Sequence, residues 1–241
     1  MIKRSDIVFF AGVILMFLPF VISKEVFDYY NQFNSDHELT TAFLKFAVLA
    51  TIGDVLGLRI KTGSYFRKGF GIIPRMIVWG FLGITIKIAF VLFASGTPAF
   101  LETIGLKNAA LVMKGNFNTE KLLVAFCISF AMNVIYGPVM MTMHAITDMH
   151  IMSNGGTLRG FFTPIRFRKI FVNLDWDVQW NFVFKKTIPF FWIPAHTITF
   201  LLPPELRVLF AALLGITLGT ILAIADMMGK NAESLKTEPG S

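Results

Sequence analysis

Six long stretches of apolar residues follow one another along the chain, separated by more polar segments. A helix that crosses the hydrocarbon core of a bilayer needs about 20 mostly apolar residues, within a range of roughly 17 to 25. The pattern therefore predicts an all-α fold, a polytopic transmembrane helix bundle of six spans. It forms one membrane domain over residues 1–229, and a disordered polar tail follows over residues 230–241. The predicted spans cover residues 7–22, 39–58, 76–95, 122–146, 188–202 and 207–228.

The positive charges are distributed unequally between the two predicted sides of the membrane. Of the 22 Lys and Arg residues, 15 fall in the N-terminus, the 59–75 loop, the 147–187 loop and the tail, and 5 fall in the opposite loops. Short loops rich in Lys and Arg stay on the inner side of a membrane. The asymmetry predicts that both termini lie inside, on the cytoplasmic side of a bacterial membrane or the inner side of an organelle membrane.

Composition agrees with a membrane protein, since apolar residues make up 55% of the chain and charged residues 15%, with 27 Phe. A soluble domain carries roughly 25% charged residues. The net charge of +7 does not indicate nucleic-acid binding, because the basic residues flank apolar runs. We expect them to contact anionic lipid head groups. The single cysteine, Cys127, excludes an internal disulfide.

The predicted inner loop over residues 147–187 has a helical pattern of its own. Thr163 and Pro164 have the residue types of a helix N-cap and of the first helical position. We expect a basic amphipathic helix on the inner membrane surface. The alternative is a loop helix that packs on its own protein. The apolar positions are Phe167, Ile170, Phe171 and Leu174, and the polar ones are Arg166, Lys169 and Asn173.

Prolines interrupt the fifth predicted span. Pro189 and Pro194 predict a kinked or broken helix, because proline lacks a backbone N–H and clashes with the preceding turn. Pro203 and Pro204 then end the span, so the fifth and sixth spans are expected to form a tight hairpin.

Small residues recur at helical spacing on three of the predicted spans. Membrane helices associate through such residues, because they allow two backbones to approach closely. The ridges predict helix contacts within the chain, or alternatively between the subunits of a homo-oligomer. They consist of Ala211, Gly215, Gly219 and Ala223 in the sixth span, Gly53 and Gly57 in the second, and Gly80 and Gly83 in the third.

The predicted spans contain the ionisable side chains Lys45, Asp54, Lys87, His144, His196 and Asp226, and the candidates for a functional path are Lys45, Asp54, Lys87 and His196. Such residues are costly in a bilayer and commonly serve function. They predict a polar path through the bundle, in which Asp54 and Lys87 face one internal cavity. The alternative for Asp54 is an ion pair with a basic neighbour such as Arg75, and for Lys45 a side chain that extends to the membrane surface.

A group of residues near the C-terminus resembles the Mpv-seventeen/peroxisomal membrane protein family. That family carries a Trp, a Gln four residues later, Asn-Phe three beyond, and then a Pro and an Arg. The corresponding positions here are Trp192, His196, Thr199, Phe200, Pro203 and Arg207, while Gly53-Asp54 and the segment 80–83 resemble two upstream motifs. The resemblance spans roughly residues 39–222, and implies a multi-span protein of organelle membranes, or a prokaryotic relative, with transport or pore character.

Two functions remain open at this point. The first is a non-enzymatic pore or small-solute transport protein, and the second is a structural or partner-binding membrane protein without transport activity. Neither a nucleophile motif nor a phosphate-binding Gly-rich loop is present in the sequence. His144 and Asp148 share a helix face, but we predict neither a metal nor a cofactor.

Overall fold

The computed structural model describes residues 3–217 and residue 219, and within this part of the chain every regular element is a helix. The end of the predicted 207–228 span, Ala223 and the predicted tail lie outside the described residues. The α-helices are α1 (Arg4–Ile22), α2 (Lys24–Asp36), α3 (Glu38–Thr62), α4 (Ile72–Thr103), α5 (Ala109–Val112), α6 (Thr119–Ile135), α7 (Gly137–Ser153), α8 (Leu158–Phe161), α9 (Phe167–Val172), α10 (Ile193–Leu201) and α11 (residues 204–217), and a π-helix covers Val178–Trp192.

Three of these helices, α1, α3 and α4, are long and apolar enough to cross a membrane. The pair α6 and α7 passes the same test as a single span that is bent by 44°. The prediction of an all-helical integral membrane protein is therefore confirmed. The number of six spans stays a prediction. The helix limits differ from the predicted ones, because α4 continues beyond 76–95 at both ends and the segment between α7 and the π-helix is shorter than the predicted 147–187 loop. Helix α7 extends to Ser153, and the π-helix begins at Val178.

The chain divides into two compact units, Met1–Thr41 and Ala42–Ser241, with the boundary inside α3. In the first unit, Ser23 separates α1 from α2, and its side chain accepts a hydrogen bond from the backbone N–H of Val26. The rings of Phe20 and Tyr30 meet edge to face, with their centroids 5.4 Å apart. Among the described residues of α1, none is buried.

The bend between α6 and α7 lies at Gly137-Pro138 in the second unit. Proline fits the first turn of a helix but interrupts a continuous one, so the chain starts a new helix here. A Cβ on Gly137 would lie 3.3 Å from Cδ1 of Ile188. The glycine therefore lets the bend pack closely against the π-helix.

The prolines of the predicted fifth span are accommodated by a change of helix type. Pro189 lies within the π-helix, and Pro194 lies at the start of α10. The predicted break is thus a transition from π-helix to α-helix at Trp192. Leu202, in extended backbone, ends α10, and α11 follows at residue 204.

The small residues of α3 face two neighbouring helices. Along one side of α3, Gly53 is so close to α11 that a Cβ on it would lie 2.9 Å from Cα of Ile216. Gly219 approaches the same place, since its Cβ would lie 3.3 Å from the carbonyl oxygen of Gly53. Gly57 lies opposite Gly219, and Gly215 lies opposite Ala50. The described part of the ridge on α11 therefore packs inside this chain.

The third ridge, on α4, also faces α3. A Cβ on Gly80 would collide with the ring of Phe43, and one on Gly83 would lie 2.6 Å from Cβ of Phe46 and 2.8 Å from the carbonyl oxygen of Ala42. At Gly83 the obstacle includes the backbone, so glycine is required there for the present separation of the two helices, whereas at Gly80 the obstacle is the side chain of Phe43.

The helix predicted from Thr163 begins later, so that prediction is wrong. Helix α9 starts at Phe167, and the Thr163 hydroxyl donates to the Gly160 carbonyl at the end of α8. Two of the expected lipid-facing residues are buried on the protein instead, since Ile170 and Leu174 pack against Ile146 of α7. The burial of Ile170 and Leu174 matches the alternative, a loop helix that packs on its own protein. Phe167 and Phe171, in contrast, are exposed, and their rings stack with centroids 5.8 Å apart.

Candidate functional site

Five side chains from three helices form a closed ring of contacts, which we call the polar ring: Asp54, Arg75, Trp79, His144 and Asp148. Arg75 Nη1 donates to Asp54 Oδ2 at 3.0 Å and to Asp148 Oδ2 at 2.8 Å. Trp79 Nε1 donates to the same Asp54 oxygen at 2.9 Å. The Trp79 and His144 rings lie 4.3 Å apart, and His144 Nε2 lies 3.8 Å from Asp148 Oδ1.

Arg75 is held in the ring by the local fold at the start of α4. Its Nε donates to the Phe70 carbonyl at 2.9 Å, and its guanidinium lies 4.3 Å from the centroid of the Phe70 ring. The residue is 5% exposed. The guanidinium therefore contacts the backbone and an aromatic ring on one side and two carboxylates on the other, which is a combination that its planar, multi-donor shape allows.

Two atoms of the polar ring lack hydrogen bonds. Among the described residues, His144 Nε2 and Asp148 Oδ1 are buried without a hydrogen-bond partner. Arg75 Nη1 lies 2.8 Å from Asp148 Oδ1 as well, but its N–H is directed at Oδ2. Buried polar atoms without partners are uncommon in proteins. Asp148 Oδ1 thus keeps an ion-pair contact with Arg75, whereas His144 Nε2 belongs to a side chain that lines the neighbouring cavity.

A cavity of about 210 Å³ borders the polar ring and extends between the helices of the second unit. This volume is large enough for several water molecules or a small solute. Asp54, Trp79 and His144 line one part of its wall. Most of the remaining wall is apolar, formed by side chains such as Phe46, Ile86 and the small residues of α11.

A second polar group lines the cavity away from the ring. His196 Nδ1 lies 3.2 Å from Asn133 Oδ1, and the Asn133 amide donates to the Ser129 carbonyl at 2.8 Å. With the amide oriented this way, Nδ1 of His196 is the donor. Trp192 also lines the cavity, and its Nε1 is buried without a hydrogen-bond partner in the described structure. The cavity therefore has polar groups at two separate places on an apolar wall.

The structure brings together only some of the residues predicted for a polar path. Asp54 and His196 line the cavity, and the ion pair of Asp54 with Arg75 is present. Lys45 is buried in α3 and Lys87 is half-buried in α4. Neither lysine is among the described residues that line this cavity.

Sequence reasoning does not identify the polar ring as a site. The apolar pattern places Arg75 in a basic loop, and Trp79 carries no signal of its own. His144 and Asp148 are recognisable as a pair on one helix face, four residues apart, but their link to Arg75 needs the tertiary fold. His150 lies apart from this pair, with Nε2 3.0 Å from the Phe161 carbonyl. In the described residues no group of three or more metal-ligating side chains is placed to hold a metal ion.

Several residues that carry the family resemblance lie at the end of α10 and in the turn that leads to α11. Arg207 donates from Nε to the Leu202 carbonyl and from Nη2 to the Phe200 carbonyl, each at 3.1 Å. These carbonyls end a helix and lack partners within it. Thr199 and Phe200 are fully buried, and Pro203 lies in the turn itself. This part of the resemblance thus corresponds to a capped helix end.

Searches against models of protein families, curated proteins and solved structures found no match for this chain.

Proposed function

We propose that this chain is a non-enzymatic membrane protein that moves a small polar solute through its helix bundle, with the described cavity as the solute site. The proposal rests on one observation, a cavity in an apolar bundle whose wall carries a carboxylate, two imidazoles and an indole N–H that has no hydrogen-bond partner among the described residues. Polar groups at membrane depth are costly, and they commonly mark a solute path.

The proposal includes six spans with both termini inside. The π-helix and α10 supply 15 and 9 residues for a fifth span, and α11 starts the sixth. It also includes contact of the basic inner loops with anionic lipid, through Phe167 and Phe171 beside Arg168. A distant relationship to the Mpv-seventeen/peroxisomal membrane protein family is part of the same proposal.

Osmotic swelling of proteoliposomes tests transport. Liposomes with the purified protein are mixed with urea or glycerol, two solutes of suitable size, and light scattering records solute entry. Sucrose serves as the control for a general leak. We expect faster entry of at least one small solute than in protein-free liposomes, and no entry of sucrose.

A matched pair of variants assigns any flux to the cavity. Met140 lines the cavity, whereas Met143 on the same helix is 40% exposed. Met140→Trp should fill part of the cavity and lower the flux severalfold, and Met143→Trp should leave it unchanged. Equal flux in both variants would place the path elsewhere.

A structural or partner-binding role is the second candidate. The observation in its favour is that the polar ring joins α3, α4 and α7 through direct contacts, as a purely structural network would. On this alternative, folded protein in liposomes transports none of the solutes, and Met140→Trp changes only stability.

A further inference from the structure

Two adjoining cavities lie in the segment between α7 and the π-helix, and we call them together the basic pocket. The first, of about 770 Å³, lies between the end of α7 and the start of α9. The second, of about 580 Å³, shares Arg166, Lys169 and Asn173 with the first. Ligand sites in proteins commonly have volumes of roughly 300 to 1,000 Å³. The basic pocket is therefore large enough for a phospholipid head group.

The charged residues of the basic pocket are all cations. Arg166 and Lys169 line both cavities, and Arg168 lines the second. Among the described residues that line the two cavities, none is Asp or Glu. The next carboxylates along the chain, Asp175 and Asp177, accept hydrogen bonds from residues of the π-helix. The charge of the pocket is thus complementary to a phosphate group, which Arg and Lys bind through charge-assisted hydrogen bonds.

The wall of the pocket on the α7 side is held in place by hydrogen bonds. His150 is 2% exposed, and its Nε2 lies 3.0 Å from the Phe161 carbonyl oxygen. The Asn154 side-chain amide donates to the His150 carbonyl at 2.8 Å. The carbonyl groups that end α7 also accept hydrogen bonds from the backbone of residues 154–156, which satisfies the helix end. This wall is therefore preformed, and the neighbouring cations supply the charge.

Exposed apolar side chains border the same cations. Phe167 and Val172 line the second cavity and are 49% and 69% exposed. Ile165 lines the first cavity and is 45% exposed. A free phosphate ion has no apolar part to cover these residues, whereas a phospholipid carries acyl chains next to its phosphate. The combination of cations with exposed aromatic and aliphatic side chains is typical of protein surfaces that lie in a lipid interface.

We propose that the basic pocket binds one anionic phospholipid, with its phosphate at Arg166 and Lys169 and its acyl chains against Phe167 and Val172. The planar guanidinium can donate two parallel hydrogen bonds to a phosphate, and the lysine adds a second positive charge. The site rests on the lipid contact included in the proposed function, and not on transport. It goes further than that contact, because a pocket is filled by one lipid molecule, whereas general attraction to a charged membrane has no fixed number of partners.

Native mass spectrometry of the full chain in a neutral detergent tests the site without any transport measurement. Phosphatidylglycerol is titrated into the protein, and phosphatidylcholine with the same acyl chains serves as the zwitterionic control. We expect saturation at one phosphatidylglycerol per chain, with an affinity about tenfold or more above that for phosphatidylcholine. Glycerol 3-phosphate carries the phosphate without the chains, and we expect it not to displace the lipid at equal concentration.

A charge-matched set of variants separates the pocket from general attraction. Arg166→Gln and Lys169→Gln should each weaken phosphatidylglycerol binding roughly fivefold or more, which is the contribution of one basic residue at an anionic surface. Arg159→Gln removes the same charge from an exposed position on α8, outside the described lining of the pocket, and should leave the affinity unchanged. Arg166 and Lys169 are exposed, so both variants should keep the melting temperature of the wild-type protein. Phe167→Ser should weaken lipid binding without a change of charge.

Three results would overturn the lipid site. The first is binding that does not saturate at one lipid, and the second is an equal loss of affinity in Arg159→Gln and Arg166→Gln, which would indicate general attraction only. The third is displacement of the lipid by glycerol 3-phosphate at equal concentration, which would identify a soluble anion as the ligand. If one lipid binds but the swelling assay shows no flux, the proposed transport is wrong and the lipid site stands. If solute moves but no lipid binds at the pocket, transport stands and the lipid site is wrong.

Discussion

Gly53→Ala adds one methyl group at the closest approach of α3 and α11. The new Cβ would lie 2.9 Å from Cα of Ile216 and 3.2 Å from its backbone nitrogen. Carbon atoms in favourable contact are about 3.5 to 4.0 Å apart. The obstacle is backbone, which cannot rotate away as a side chain can, so the two helices must separate by about 1 Å.

The expected loss of stability follows from two opposing effects. Separating the helices weakens contacts along the whole seam, and overpacking of this kind costs about 1 to 3 kcal/mol. Alanine in a helix is favoured over glycine by up to about 1 kcal/mol. The balance predicts a net destabilisation of about 1 to 2 kcal/mol for Gly53→Ala, measured as the free energy of unfolding in mixed detergent micelles.

A graded series of glycines makes the test sharper. The distance from an added Cβ to its nearest neighbour rises from 2.9 Å at Gly53 to 3.3 Å at Gly219 and 3.6 Å at Gly57, and nothing lies within 4 Å of Gly96. Destabilisation by alanine should decline in that order, and Gly96→Ala should be neutral or stabilising. If Gly53→Ala were as stable as Gly96→Ala, the helices would not touch there and the packing account would be refuted.

Three further predictions concern topology and the buried polar groups. If both termini lie inside, a single cysteine placed at Asn116 in a cysteine-free background should react with a membrane-impermeant reagent added outside. A single cysteine at Ser153 should react only with reagent added inside. Labelling of both positions from one side would contradict the topology. Arg75→Met should lower the free energy of unfolding by about 3 to 5 kcal/mol in a denaturation titration, because it leaves two carboxylates without their cation. Tyr136→Phe should cost no more than about 1 kcal/mol in the same assay, because it removes one hydrogen bond while the Thr85 hydroxyl still donates to the Leu82 carbonyl.

The helices are predictable because a bilayer requires long apolar segments, and such segments are visible in the sequence. Helix limits are less predictable, since polar residues can continue a helix beyond the apolar core. Helix α4, for example, begins at Ile72 and includes Arg75, which the apolar pattern places in a loop. The π-helix is not predictable either, because two prolines indicate an irregularity but not the hydrogen-bonding pattern that relieves it.

The candidate site is predictable only in part. An aspartate beside glycines on a membrane helix indicates that Asp54 faces the bundle, and the structure places it on the cavity wall. The other carboxylate and the arginine of the ring come from distant parts of the chain, since Arg75 lies 21 residues beyond Asp54, and Asp148 lies 73 residues beyond Arg75. Contacts at such separations depend on which helices are neighbours and on their rotation, and the apolar pattern specifies neither.

The stability of the bundle does not by itself account for the polar ring. Buried ion pairs contribute little net stability, because the cost of removing charges from water offsets their attraction, and apolar residues of similar volume often serve as well. The small residues already join α3 to α4 and to α11 through contacts that glycine alone permits. The ring adds α7 to this assembly, but it does so with two carboxylates, one arginine and a histidine whose Nε2 lacks a hydrogen bond. Three side chains of the ring, Asp54, Trp79 and His144, also line the cavity, and a network that served only to join helices would not need to lie there.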